Sequence, residues 1–243
     1  ARAFDDVLHG PWSSVATFRV PDIGARDPHR ILGYGDSITA GAQTQNGGWI
    51  YCEGYREELE LALTAFFGSA TVDTTWVPGG ASADGVNQMD ERLAGRSDSY
   101  LLILFGTIDA GVEPPLNLQT VRNNIAAIAA YARSIGMVAV VGTVPPRLDE
   151  TANLRIQQLN ALLLQLEDGN GILVADHYAR LVDVAAGDLR RVVCEDGVHP
   201  SDLGYSVIAE VWYRALSGSD DYPAVARAHR EERVGAAALS PAK

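Results

Sequence analysis

From about residue 30 onward, short unbroken apolar runs alternate with longer stretches in which apolar residues recur every three or four positions. That is the pattern of strands followed by amphipathic helices. Five runs have strand length: Ile31–Gly35, Thr71–Val77, Tyr100–Phe105, Met137–Gly142 and Ile172–Ala175. Leu101-Leu102-Ile103-Leu104-Phe105 is apolar without alternation, as expected of a strand covered on both faces, and this predicts a place mid-sheet. Helices are predicted over Ile50–Phe66, over Leu118–Ile135 up to Gly136, and over Thr151–Leu166 with its stripe of Leu159, Leu162, Leu163 and Leu166. A last helix is expected after Ser201, its N-cap, with Leu203, Val207, Ile208, Val211 and Trp212 on one side. Strands alternating with helices call for a parallel sheet with helices on both faces. The predicted class is therefore α/β, a three-layer α/β/α sandwich around a central, mostly parallel five-stranded sheet.

At 243 residues the chain suits one domain. Residues 1–29 carry several Gly and Pro without a period and read as an N-terminal arm or extra strand packed on a main domain of residues 30–217. Residues 218–243 form a C-terminal tail, charged at Arg230-Glu231-Glu232-Arg233, that either adds a helix or is partly mobile. A net charge of −12 with no basic cluster argues against nucleic acid and anionic lipid as partners. No apolar run is long enough for a transmembrane segment. A start at Ala1 fits a removed leader, which would favour a secreted or periplasmic protein, and fits trimming equally; localisation and oligomeric state stay open. Cys52 and Cys194 are too few for a disulfide framework. They are either free thiols or, with Cys52 expected on the helix after Ser37, a single bridge.

Candidate chemistry concentrates at two places. The run Ile31-Leu32-Gly33-Tyr34 stops at Gly35-Asp36-Ser37, which sets Ser37 at the carboxyl edge of the sheet, where open α/β proteins bind ligands. Far downstream, Asp196-Gly197-Val198-His199-Pro200 supplies a carboxylate and an imidazole three residues apart. A serine hydroxyl becomes a nucleophile when a histidine removes its proton and a carboxylate holds that histidine in the right tautomer. His9, His29, His177 and His229 show no metal-ligand spacing with one another or with the cysteines. No Gly-Lys-Ser/Thr or Gly-x-Gly-x-x-Gly loop is present for a nucleotide. Neither a metal nor a cofactor is expected.

These residues resemble the SGNH hydrolases, the GDSL-type esterases and lipases, over roughly residues 30–216. Block one of that family matches Gly35-Asp36-Ser37-Ile38, and the resemblance implies Ser37 as nucleophile and, through its backbone N–H, as an oxyanion donor. Block two matches Pro78-Gly79-Gly80-Ala81-Ser82, with Gly80 the chosen oxyanion donor and Gly79 the alternative. The last block matches Asp196-Gly197-Val198-His199-Pro200 in full, implying His199 as base and Asp196 as its partner. Block three departs: where the family has Gly-x-Asn-Asp, this chain has Gly106-Thr107-Ile108-Asp109. Ile108 cannot supply the side-chain donor of the oxyanion hole, a loss typically worth on the order of a hundred- to a thousandfold in turnover. Replacement donors include the Thr107 hydroxyl, a backbone N–H between Ile108 and Ala110, and Asn87; Ile108 itself could line an acyl pocket. Asp109 is expected to orient its loop.

The resemblance implies a flavodoxin-like sandwich that cleaves carboxylic esters through an acyl-Ser37 intermediate, without a cofactor. Loops after Gly80, after Asp109 and after Thr143 are expected to rim the cleft and to favour short acyl or acetyl esters, with a small molecule or a carbohydrate as the alcohol. A carbohydrate deacetylase, a lysophospholipase and a thioesterase are alternatives within the family. A reading of another class is a ligand-binding homologue in which Ile108 has ended catalysis.

Overall fold

A computed structural model of the chain describes residues 27, 29–168 and 171–239. The expected arm over 1–29 lies almost wholly outside the described residues. Five strands form one sheet: β1 (Arg30–Gly35), β4 (Thr71–Trp76), β5 (Tyr100–Leu104), β6 (Val138–Gly142) and β7 (Ile172–Ala175). Every pairing is parallel, in the order β4-β1-β5-β6-β7, with β5 at the centre as its uninterrupted apolar run requires. The flavodoxin-like α/β/α sandwich is thus the observed fold.

Alternation along the strands divides the core in two. Ile31, Leu102, Leu104, Val138 and Val140 face one layer, made by α1 (Arg56–Phe67), α6 (His177–Ala185) and α7 (Asp202–Ser217). Leu32, Tyr34, Leu101, Ile103, Phe105, Ala139 and Val141 face the other, made by α2 (Ser82–Leu93), α4 (Leu118–Ser134) and α5 (Glu150–Leu163). On α4 the residues Val121, Ile125, Ile128, Ala129 and Ala132 are buried, the stripe legible in the sequence. Asn117 caps its first turn by accepting from the N–H groups of Gln119 and Thr120. Ser201 caps α7 by accepting from the Gly204 N–H, as expected.

One departure from the sequence reading matters for the site. The predicted helix over Ile50–Phe66 is half right: α1 begins at Arg56, and residues 48–51 are instead β3 (Gly48–Tyr51), paired antiparallel with β2 (Ala42–Gln45). Asn46 and Gly47 make the turn with φ of 53° and 73°. Both left-handed positions of a tight hairpin suit Asn-Gly, so the local turn overrides the helical spacing downstream. Of the two alternatives open for the tail, the structure has the helix, α8 (Ala224–Leu239), which packs on α1 and α7. Under that cover α7 is buried all round from Gly204 to Tyr213 rather than on one side.

Candidate active site

Strand order reverses about β1: the chain steps from β1 out to β4, then returns to place β5 on the other side of β1. The carboxyl ends of β1 and β5 therefore open a crevice at the switch point. Ser37 follows β1, and the short helix α3 (Thr107–Gly111) follows β5 across it. The backbones meet closely here. A Cβ on Gly35 would lie 2.3 Å from the Leu104 carbonyl and 2.1 Å from Thr39 Oγ1, so glycine is the residue that lets β1 turn at this point.

The segment holding His199 closes on itself. The Cys194 N–H donates to the His199 carbonyl at 2.7 Å and the Ser201 N–H to the Val192 carbonyl at 2.9 Å. This returns His199, 3 % exposed, to the end of β1. The Ser37 hydroxyl donates to His199 Nε2 at 2.9 Å, and His199 Nδ1–H donates to Asp196 Oδ2 at 2.6 Å. Asp196 Oδ1 accepts from the backbone N–H groups of Val198 and His199 at 2.8 and 2.9 Å. Burial pushes the Asp196 carboxyl up, but bonds from the His199 ring and these amides outweigh it and hold it below the ordinary range. An ionised carboxylate keeps the proton on Nδ1, which leaves Nε2 free to accept.

Across the crevice, Asp109 accepts from the Ser82 N–H at 2.9 Å and the Ser82 hydroxyl at 2.7 Å, and so clamps the start of α2 to α3. Gly80 is buried and its N–H donates to the Val77 carbonyl at 3.0 Å. Gly79 is exposed, and its N–H has no partner among the described residues, nor has that of Ser37. Of the two glycines, Gly79 has the backbone amide without a partner among the described residues. Ile108 is half-buried, Asn87 is exposed on α2, and the Thr107 hydroxyl is buried without a partner among the described residues.

Sequence reading missed two neighbours of this row. Arg147 Nη1 donates to the Thr107 carbonyl at 3.0 Å; burial lowers its pKa, while Asp149 and Asp196 act in the opposite sense. Trp49, on β3, sets its ring against the His199 ring at 4.7 Å between centroids and 74° between planes. The Asn46-Gly47 turn was the signal for the hairpin that carries it. Both cysteines are free thiols. Cys52 donates to the Gly41 carbonyl at 3.1 Å and Cys194 to the Pro200 carbonyl at 3.2 Å, so the bridge offered as an alternative is absent.

The remaining histidines stand apart. His29 Nδ1 pairs with the Ser69 hydroxyl at 2.6 Å, and His177 is fully buried beneath Trp212. His9 lies outside the described residues. Among the described residues one group could reach a metal: Glu53, Glu57 and His229, whose ligand atoms lie within 4.8 Å of one another. The sequence reading did not connect them, because His229 comes from α8.

Comparison with known proteins bears on this geometry. The model of the GDSL-like Lipase/Acylhydrolase family matches residues 34–207. The chain belongs to this family. As a GDSL-like acylhydrolase it is a carboxylic ester hydrolase, and its match spans both the Ser37 and the His199 segments. Similar solved structures include the lipase/acylhydrolase from Enterococcus faecalis, with a TM-score of 0.66 and 20% identity over 80% of this chain and 100% of the other. A catalytic mutant of an acetylxylan esterase from Geobacillus stearothermophilus gives a TM-score of 0.64 and 16% identity over 77% and 94%. At such identities these likenesses speak for the shared fold. No curated protein sequence matches the chain.

Proposed function

We propose that the chain hydrolyses short acyl esters, acetyl esters of carbohydrates foremost, with Ser37 as nucleophile, His199 as base and then acid, and Asp196 holding the imidazole. The observation that carries this reading is the unbroken row Ser37 Oγ, His199 Nε2, His199 Nδ1, Asp196 Oδ2 at 2.9 and 2.6 Å. His199 takes the hydroxyl proton as Ser37 Oγ bonds to the ester carbon, then gives it to the departing alcohol oxygen. Water, deprotonated by the same imidazole, releases the acid from Ser37. The free N–H groups of Ser37 and Gly79 receive the oxyanion, and Ile108 leaves the third place without a donor. The catalytic unit is residues 30–217. The acetyl preference draws support from the acetylxylan esterase among the structural relatives.

Hydrolysis of p-nitrophenyl acetate, butyrate and octanoate by the parent, Ser37→Ala and Ile108→Asn tests the reading. Activity on acetate that falls with chain length and vanishes in Ser37→Ala is expected, with Ile108→Asn faster by on the order of a hundredfold. Activity that survives Ser37→Ala overturns it. A silent parent revived by Ile108→Asn identifies the alternative, a ligand-binding homologue stopped at its oxyanion hole.

A further inference from the structure

Building on the Ser37 reading above, we propose that Trp49 is the wall of the site that receives the alcohol half of the ester, and that the alcohol it fits is a hydroxylated ring with an apolar face, a pyranose. Proton bookkeeping gives the direction. As the tetrahedral intermediate collapses, the bond from the carbonyl carbon to the alcohol oxygen breaks, the acyl group stays on Ser37 Oγ, and the proton on His199 Nε2 moves to the leaving oxygen. That oxygen must come within hydrogen-bond reach of Nε2. The alcohol therefore lies on the His199 side, and the carbonyl oxygen points the other way, toward the Ser37 and Gly79 amides.

Trp49 occupies the His199 side. Its ring contacts the imidazole at 4.7 Å, yet the residue is 64 % exposed. A large aromatic ring left open beside a proton donor offers unspent apolar area where the leaving group must pass. The rim next to it is polar. The turn of the hairpin is tied down by the Gly47 N–H, which donates to Glu195 Oε1 at 2.6 Å. Glu195 is exposed, and its second oxygen has no partner among the described residues. An apolar platform flanked by a free acceptor matches a sugar, whose C–H face lies on the indole while its hydroxyls donate at the edge. A fatty alcohol has only one hydroxyl, spent in the ester, and would strip water from the carboxylate for nothing.

Two measurements test the subsite. The first compares kcat/KM for acetylated methyl xylopyranoside and for ethyl acetate in the parent, Trp49→Ala and Trp49→Phe. The ratio of sugar ester to ethyl ester is expected to fall by about tenfold or more in Trp49→Ala and to recover in large part in Trp49→Phe. If both esters lose the same factor, Trp49 only packs against His199 and the proposal fails. The second is independent of turnover: xylotriose is titrated into the protein while tryptophan fluorescence is followed. A saturable change that Trp49→Phe abolishes is expected. No saturable change in the parent overturns the subsite whatever the esterase result. A saturable change in a chain that hydrolyses neither ester supports the subsite and overturns the Ser37 reading alone.

Discussion

Asp36 and His177 are buried side chains that resist their usual charges, and they set opposite pH limits on stability. Burial pushes the Asp36 carboxyl up to about 7, against the pull of the Ile38 N–H and with a further push from Asp109. In the unfolded chain it titrates near 3.8. A raised carboxyl binds its proton more tightly in the native state, so its contribution is full below about 4 and is lost as pH rises toward 7. Asp36→Asn keeps an oxygen for the Ile38 N–H and removes the titration. Its stability gain over the parent is expected to grow from pH 4 to 7 and then level off, read from urea midpoints; a pH-independent difference would refute this. His177 works in the other sense. Burial lowers its pKa from 6.5 to about 3, so the native state is favoured above 6.5 and loses ground as pH falls toward 3. His177→Phe is expected to flatten the acid limb of the same curve. Neither effect was readable in the sequence, since desolvation depends on what covers a residue.

At the scale of elements, the β2–β3 hairpin shows how a two-residue signal outweighs a longer pattern. The spacing of apolar residues from Ile50 onward resembles a helix, but Asn46-Gly47 closes a turn before that helix can begin. Gly47 sits at φ 73°, which L side chains adopt at a cost of roughly 1–2 kcal/mol. Gly47→Val is therefore expected to loosen the hairpin. Amide exchange over residues 42–51 should quicken while the strands β1 and β5 keep their protection. Slowed or unaltered exchange there would mean that the Glu195 anchor, rather than the turn, holds the hairpin. The helices α4 and α7 were legible because the spacing of their apolar residues, the Gly136 stop and the Ser201 cap are local features.

At the scale of the molecule, charge fastens α8 beside the buried Ala226. Arg230 donates to Glu58 Oε1 through Nε and Nη2 at 3.3 Å and to Glu210 Oε2 at 3.1 Å. Glu58 has no exposure at all, and its other partner is the Tyr222 hydroxyl at 2.9 Å. Removing the cation strands a buried carboxylate, so Arg230→Ala is expected to cost on the order of 3 kcal/mol in chemical denaturation. The double variant Glu58→Met with Arg230→Met should recover much of it; if it is no better than Arg230→Ala, packing of α8 outweighs the pair. Arg233 extends the same fastening toward the site. It donates to the Gly54 carbonyl at 2.8 Å and to Asp202 at 3.2 Å, and Gln43 joins Asp202 to the Pro200 carbonyl.

The strand runs, the mostly parallel α/β class they imply and the Ser37, Asp196 and His199 candidates were legible along the chain because each is written in short local stretches. Strand runs, caps and an Asp-x-x-His turn are written within a few residues. So was the departure at Ile108, since a residue type alone says whether a side chain can donate. Which glycine amide is free, where Trp49 stands and that α8 returns over α1 and α7 were decided by the fold. These depend on contacts between segments far apart in the chain, up to 179 residues for Arg233 and Gly54. Burial, charge pairing and ring contacts arise only when the sheet brings such segments together, and no local spacing encodes them.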